Sequence, residues 1–438
     1  MNFRRRVLSA FLALGVAIGG SQALANQELF ADLEISAQKA RQLELIEPLD
    51  IRVVTRDEYR DEQAESFGDE ALNEDTEDWN TLLIFLGFIG PDDNIIEFYQ
   101  GFISEQVLGS YDPESHELII VSTNTDEWNA TDKTTFVHET VHALQDQHFD
   151  IMSVYGDTET ITDDRYYAAN SLIEGDATVA ELIYITDNNL MGQIIDEYEQ
   201  SDLAPTDDIP FFILETMMFP YDKGADFVLG VWQDGGWNAV NNLWTNPPTT
   251  SEQILHPEKY FDGEVAVPVA IADPQPHFGD DWRVIEDNEW GELGTRVFLE
   301  NGGASGRDAS LAAEGWGGDG VYVITNDDEQ AMVWVTAWDT EDDAIEFLNV
   351  LTEAESNRLD VTADVVDQDF ARFSDDGLVG EMQRDGNVVT YYLTHSEESL
   401  TKMQESQVGA ELLDRSAPAP EATPATPVSK VAFWVRDN

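Results

Sequence analysis

The stretch "FVHETVHALQDQHFD", Phe136 to Asp150, limits the fold more than any other because it carries three of the chain's seven histidines. In His138-Glu139-x-x-His142 the two histidines are four apart, so on an α-helix they leave the same face one turn apart and can share a metal ion. Glu139 then stands beside the open metal position, where it can take a proton from a water and return it to a leaving amine. The chain has no cysteine, so any metal is held by His, Asp or Glu, a set that suits Zn2+. The helix is expected to begin near Thr131 or Asp132, both good N-caps, and to bury Val137, Val141 and Leu144.

Zinc in such a site needs a third protein ligand. His148 has the spacing used by metzincins, but Gln145 stands where their helix-breaking glycine would be. In an unbroken helix His148 points roughly 80° from His138 and 120° from His142, about 9 Å beyond the latter, and cannot reach a shared metal. Its place near the helix end suits the negative end of the dipole. Glu174 is the other candidate, within a second helix spanning about Asp164 to Ile185. It sits among Leu172, Ile173 and Ala177, where a carboxylate needs a compensating partner, and Gly175 is expected to let this helix approach the first closely. Asp176 and Glu181 are candidates for orienting a ligand histidine. A developing oxyanion also needs a donor, for which His256 in "ILHPEKY" and Tyr221 are the first choices, with Tyr166 and Tyr167 behind them.

The HExxH helix followed by Glu174-Gly175-Asp176-Ala177 resembles the gluzincin metallopeptidases, and "YDKGADFVLGVWQDGGW" is similar to their Tyr-x-x-Gly-x-x-Phe-Val segment. In this order "GSYDPESHELIIV", "HETVHALQDQHFD", "IEGDATVAE", "TSEQILHPEKYF" and "EGWGGDGVYV" also resemble a group of uncharacterised exported bacterial HExxH proteins, best over Glu105 to Phe261. The resemblance implies a zincin-like fold with His138, His142 and Glu174 as ligands and Glu139 as base. It implies a peptide or protein substrate without naming one. A zinc amidase acting on other amides, or a surface protein with an idle zincin site, are the rival readings.

The expected fold class is α+β. Residues 1–25 read as an export signal, with Arg4 to Arg6, an apolar run from Val7 to about Gly20 and Ala23-Leu24-Ala25 before the cleavage point. That apolar run is shorter than the roughly 20 residues of a spanning helix, so a secreted or extracytoplasmic protein is expected, with no transmembrane segment after signal removal. Residues 26–262 are expected to form the zincin-like domain, a small sheet plus mostly helices. Its hairpin strand Glu117 to Val121 is expected to align a substrate backbone. Residues 263–410 are expected to form a second α+β domain with helices on one side of its strands, and Gly315 to Asp319, "GWGGD", a tight turn into "VYVIT". Residues 411–438 are a Pro/Ala/Thr-rich linker and tail.

Charge narrows the partners. With 88 acidic and 22 basic residues the net charge is −66, and no basic stripe exists to neutralise phosphates, which excludes nucleic acid. Such self-repulsion is screened where the Debye length is about 3 Å, near 1 M salt, so a halophilic protein is expected. Acidic runs such as Asp157 to Asp164 are read as solvated surface.

Overall fold

The hairpin foreseen in "GSYDPESHELIIV" forms, and a third strand completes it. The computed structural model describes residues 27–68, 74–122, 128–158, 160–200, 209–326, 328–375 and 377–408; the expected export signal and the expected C-terminal linker and tail lie outside them. Strand β1 (Asp50–Val54) pairs in parallel with β3 (Glu117–Val121), which pairs antiparallel with β2 (Gly109–Asp112), giving the order β1-β3-β2. Thus β3 is the centre of the sheet, with both of its backbone edges engaged. The expectation that Glu117 to Val121 aligns a substrate is overturned, and the edge strand beside the HExxH helix is β2.

Around this sheet lie α1 (Gln27–Arg41), α2 (Arg56–Gly68), α3 (Glu74–Phe85) and α4 (Ile95–Gln106). The HExxH helix, α5 (Ala130–Phe149), starts slightly earlier than the sequence suggests because Asn129 is its N-cap, in a reciprocal capping box with Asp132. Next come α6 (Asp163–Asn188), α7 (Met191–Glu199) and α8 (Phe211–Leu243), which bends at Gly236, where φ is 62°. Gly175 of α6 packs on Gly224 of α8, and not on α5 as expected. A Cβ on Gly175 would lie 2.3 Å from the Gly224 carbonyl oxygen, so only glycine permits this approach. Short helices α9 (Ser251–Leu255), α10 (Pro257–Asp262) and α11 (Gln275–Phe278) lead to the second sheet.

That sheet contains β4 (Arg283–Asn288), β5 (Trp316–Thr325), β6 (Gln330–Trp338), β7 (Asp364–Asp367), β8 (Phe370–Asp375), β9 (Leu378–Asp385) and β10 (Val388–Thr394). Its order is β4-β5-β6-β10-β9-β8-β7 and all neighbours are antiparallel. Helices α12 (Gly291–Asn301), α13 (Gly306–Ala313), α14 (Glu341–Leu359) and α15 (Glu397–Ser406) accompany it. The fold class is α+β, as expected, but both faces of this sheet are covered. Trp334, Met332 and Tyr391 pack towards Phe347 of α14, while Val333, Val335 and Tyr392 pack towards Leu400 and Met403 of α15. The unbroken apolar run "AMVWVTAW" is the cause, since a strand without a polar face has to be buried on both sides.

Within "GWGGD" only Gly315 is in a turn, with φ 81°, while Trp316 to Asp319 already belong to β5, one strand that runs on into "VYVIT". An extended segment, residues 264–273, crosses β5 here, with the Val267 amide donating to the Gly317 carbonyl at 2.6 Å. A Cβ on Gly318 would lie 2.2 Å from the Val267 carbonyl oxygen, so the glycines make room for the crossing strap. Asp319 at the end of the motif is buried and accepts from the Trp290 and Gly291 amides and from the indoles of Trp316 and Trp334, at 2.9–3.2 Å.

The expected domain boundary falls at the start of that strap, yet one core spans the two sheets. Phe88 meets Phe212 and Phe298, with ring centroids 4.9 and 6.1 Å apart, and Arg283 of β4 pairs with Asp78 of α3 at 2.5 Å. Among the described residues no helix is long and apolar enough to cross a membrane.

Candidate metal centre

On α5 the rings of His138 and His142 lie side by side, centroids 4.8 Å apart and planes at 80°. Glu174 reaches them from α6, its Oε2 being 3.2 Å from His138 Nε2 and 3.3 Å from His142 Nε2. All three are buried, with their donor atoms within 4.8 Å of one another, an arrangement that could hold a metal ion.

The outer hydrogen bonds settle which way the imidazoles face. Gln145 donates its amide to the Ile173 carbonyl at 2.9 Å, so its oxygen accepts from His142 Nδ1, also at 2.9 Å. Glu181 takes His138 Nδ1 at 3.2 Å. With both Nδ1 atoms donating outwards, both Nε2 lone pairs converge on a carboxylate. Three acceptors meeting at one buried point require a cation among them, which is the test the residues pass as metal ligands. Without one, protons do the same work. Burial pushes the His138 imidazole down, but its bonds to Glu174 and Glu181 and the nearby Glu181 and Glu139 charges hold it well above its ordinary value. His142 is raised as well, against burial, by Glu174. Glu174 is held below the usual carboxylate range because the two histidines outweigh its burial.

Glu139 is buried beside the triad, and its carboxyl is pushed up by burial and by Glu174 and Glu181, with the histidines opposing. A raised carboxyl pKa suits a group that exchanges protons near neutral pH. Its neighbour on β2 is Gly109, whose missing side chain leaves it room. Tyr221 of α8 stacks over His138, centroids 6.1 Å apart, and it lies beside the Glu174 carboxylate, whose charge it feels. Burial and the Glu174 and Glu139 charges keep it a phenol, hence a donor. Tyr166 stacks on Tyr155 behind this group, and Tyr167 turns to a separate cavity.

Other expectations are redirected. His148 bonds the Glu44 carbonyl at 2.8 Å from the end of an unbroken helix, away from the metal residues. His256 gives its Nε2 to Glu292 of α12 at 2.9 Å, and among the described residues no contact joins it to the triad. Of the two first choices, Tyr221 is the one that lies beside the triad, stacked over His138. Of the two acids proposed to orient a ligand, Glu181 does so and Asp176 does not. Asp176 holds the Arg41 guanidinium of α1, which also stacks on Trp237 at 4.3 Å, and accepts from the Trp244 indole at 2.9 Å. Asp164, read as surface, is buried and accepts from the Ser251 amide at 2.7 Å. A second acidic trio, Glu252, Glu264 and Asp339, already has its cation, since Lys259 Nζ bonds all three at 2.6–2.9 Å.

Gln145 and Gly109 are the functional residues that sequence reasoning passed over. The signal for Gln145 was its place three residues after His142, within reach on the same helix face. A family model described as a domain of unknown function (DUF8575) matches residues 282–404, the second sheet and its helices from β4 into α15. No curated protein and no solved structure matches the chain.

Proposed function

We propose that the protein is an exported, zinc-dependent metallopeptidase of gluzincin type. The observation that carries this reading is the buried His138, His142 and Glu174 triad with Glu139 beside it and β2, the edge strand of the small sheet among the described residues, alongside. Two imidazoles and one carboxylate are the donor set of a catalytic zinc site that keeps one position open. Zinc bound there supplies a Lewis acid that makes water a nucleophile at neutral pH and polarises a carbonyl.

The chain's own residues do the rest. Glu139 accepts the proton of the attacking water and delivers it to the amine nitrogen as the peptide bond breaks. Tyr221 donates its hydroxyl to the oxygen on which negative charge develops. The outer edge of β2 pairs with the substrate main chain, which favours an extended peptide over an isolated small amide. Glu181 and Gln145 hold the two imidazoles in the tautomer that turns Nε2 inwards.

The test is metal analysis joined to a peptide-library digest. Wild-type protein is expected to carry about one zinc per chain and to cleave, whereas Glu139→Gln keeps the metal and loses hydrolysis. Protein that holds zinc but cleaves nothing across a broad library would sink the reading, as would protein that binds no zinc.

A further inference from the structure

We propose that Tyr59 of α2 is a further catalytic residue of the metal site: its phenol oxygen takes the N–H of the scissile amide and so turns the nitrogen lone pair towards Glu139. This rests on the metallopeptidase reading. Helix α2 follows β1 directly and is fixed at that end. Thr55 and Glu58 cap each other, and the Arg56 guanidinium donates to the Ser104 and Val107 carbonyls at 3.1 and 2.6 Å. Val107 stands two residues before Gly109, the point where β2 and Glu139 meet. Tyr59 follows Arg56 by three residues and lies on the same helix face, which brings it to the start of β2 beside Glu139.

Tyr59 is only 4% exposed, yet among the described residues its hydroxyl makes no hydrogen bond. Buried tyrosines usually find such a partner, as Tyr111, Tyr155, Tyr260 and Tyr391 do here. The Tyr59 hydroxyl is therefore not spent on holding the fold together. Burial raises the phenol, Arg56 opposes and the Glu139 charge adds to the rise, so the group keeps its proton. Glu139 is the metal-site charge that acts most on Tyr59, whereas Glu174 acts most on Tyr221. The two tyrosines thus stand on different sides of the site.

The chemistry asks for an acceptor beside Glu139. In hydrolysis the oxygen of water joins the carbonyl carbon, one of its protons reaches the nitrogen through Glu139, and the C–N bond breaks to give an acid and an amine. The nitrogen takes that proton on its lone pair, so its own hydrogen has to point elsewhere. A phenol oxygen accepts this N–H while keeping its O–H, and the orientation is then set before the proton arrives.

The experiment takes a peptide cut in the library digest and its ester twin, with oxygen in place of the scissile N–H, and measures kcat/KM on both for zinc-loaded wild type and Tyr59→Phe. The ester has no N–H to hold. Tyr59→Phe is expected to lose about 10- to 100-fold on the peptide and to keep the wild-type value on the ester. The two values come from one sample, so partial misfolding or partial loss of zinc lowers both and leaves their ratio unchanged. Tyr59→Met, which also lacks the acceptor, carries the test if thermal melts show that Tyr59→Phe is unfolded. A peptide-to-ester ratio that falls less than about tenfold overturns the role of Tyr59 and leaves the metallopeptidase reading standing. Zinc-loaded wild type that cleaves neither peptide nor ester overturns both.

Discussion

Gly109 lies so close to Glu139 that a Cβ on the glycine would come within 3.0 Å of the glutamate Cγ and 3.1 Å of its Oε1. The edge strand, Glu139 and Thr135, whose Cγ2 would lie 2.7 Å from that Cβ, thus share one narrow space, and a methyl group there presses on both side chains. Gly109→Ala is expected to lower kcat about 100-fold while zinc content stays at the wild-type level, because a shift of about 1 Å is enough to cost that much. Steady-state kinetics beside metal analysis checks it, and unchanged kcat refutes it.

Gln145 fixes His142 through a bond that a hydrocarbon cannot make. Gln145→Leu is expected to weaken zinc binding about 10- to 100-fold, and Gln145→Glu, which keeps an acceptor for Nδ1, to recover much of the loss. Competition with a chromogenic chelator measures both. Equal affinity in the Leu variant and wild type would leave Gln145 without the orienting role.

The contact of Gly175 with Gly224 allows no side chain on either helix. Gly175→Ala is expected to destabilise the protein by about 1–3 kcal/mol, as overpacking does, and to loosen zinc because Glu174 is the preceding residue. Urea unfolding of the zinc-loaded protein gives the first quantity. A midpoint within error of wild type would show that α6 and α8 separate freely.

Glu289 gives the stability a pH dependence. Burial, then Asp319, raises its carboxyl to about 7, so the folded state holds a proton more tightly than the unfolded chain does. The stabilisation from this group is therefore complete below the ordinary carboxylate value and is lost as pH rises through about 7. Glu289→Gln cannot ionise, and its melting temperature is expected to fall less than that of wild type between pH 5 and pH 8. Parallel slopes in the two proteins would remove Glu289 from the account.

With a net charge of −66, the folded chain repels itself. Its melting temperature is expected to climb steeply as NaCl rises from about 0.1 M, where the Debye length is about 10 Å, to about 1 M, where it is about 3 Å. A neutral osmolyte at equal osmolality serves as the control. If it raises the melting temperature as much as salt does, screening is not the cause.

The candidate metal residues were legible in the sequence because their chemistry is local: two histidines one turn apart, and an acid placed among apolar neighbours. Which acid supports His138 was legible in principle. Glu181 follows Glu174 by two helical turns on the same face, whereas Asp176 points to the far side. The place of β3 was not, since a hairpin's own sequence does not reveal that β1, more than sixty residues earlier, adds to its far edge. "GWGGD" misled for a similar reason. Its glycines answer to a strap about fifty residues away in sequence, and glycine needed for a close crossing looks the same as glycine needed for a turn. His256 looked available because its proline-bound loop gave no hint of Glu292 on a helix still to come.

The pairing of Arg41 with Asp176 ties the first described helix to the helix that carries Glu174. Arg41 belongs to the first described helix, and it is buried together with its partner, two residues from Glu174. Removal of α1 would take Arg41 away with it. Loss of Arg41 would leave an uncompensated charge behind Glu174, at a cost of about 3–5 kcal/mol. The first described helix is therefore a structural part of the fold that supports Glu174, and Arg41→Ala is expected to lower the urea midpoint clearly below wild type.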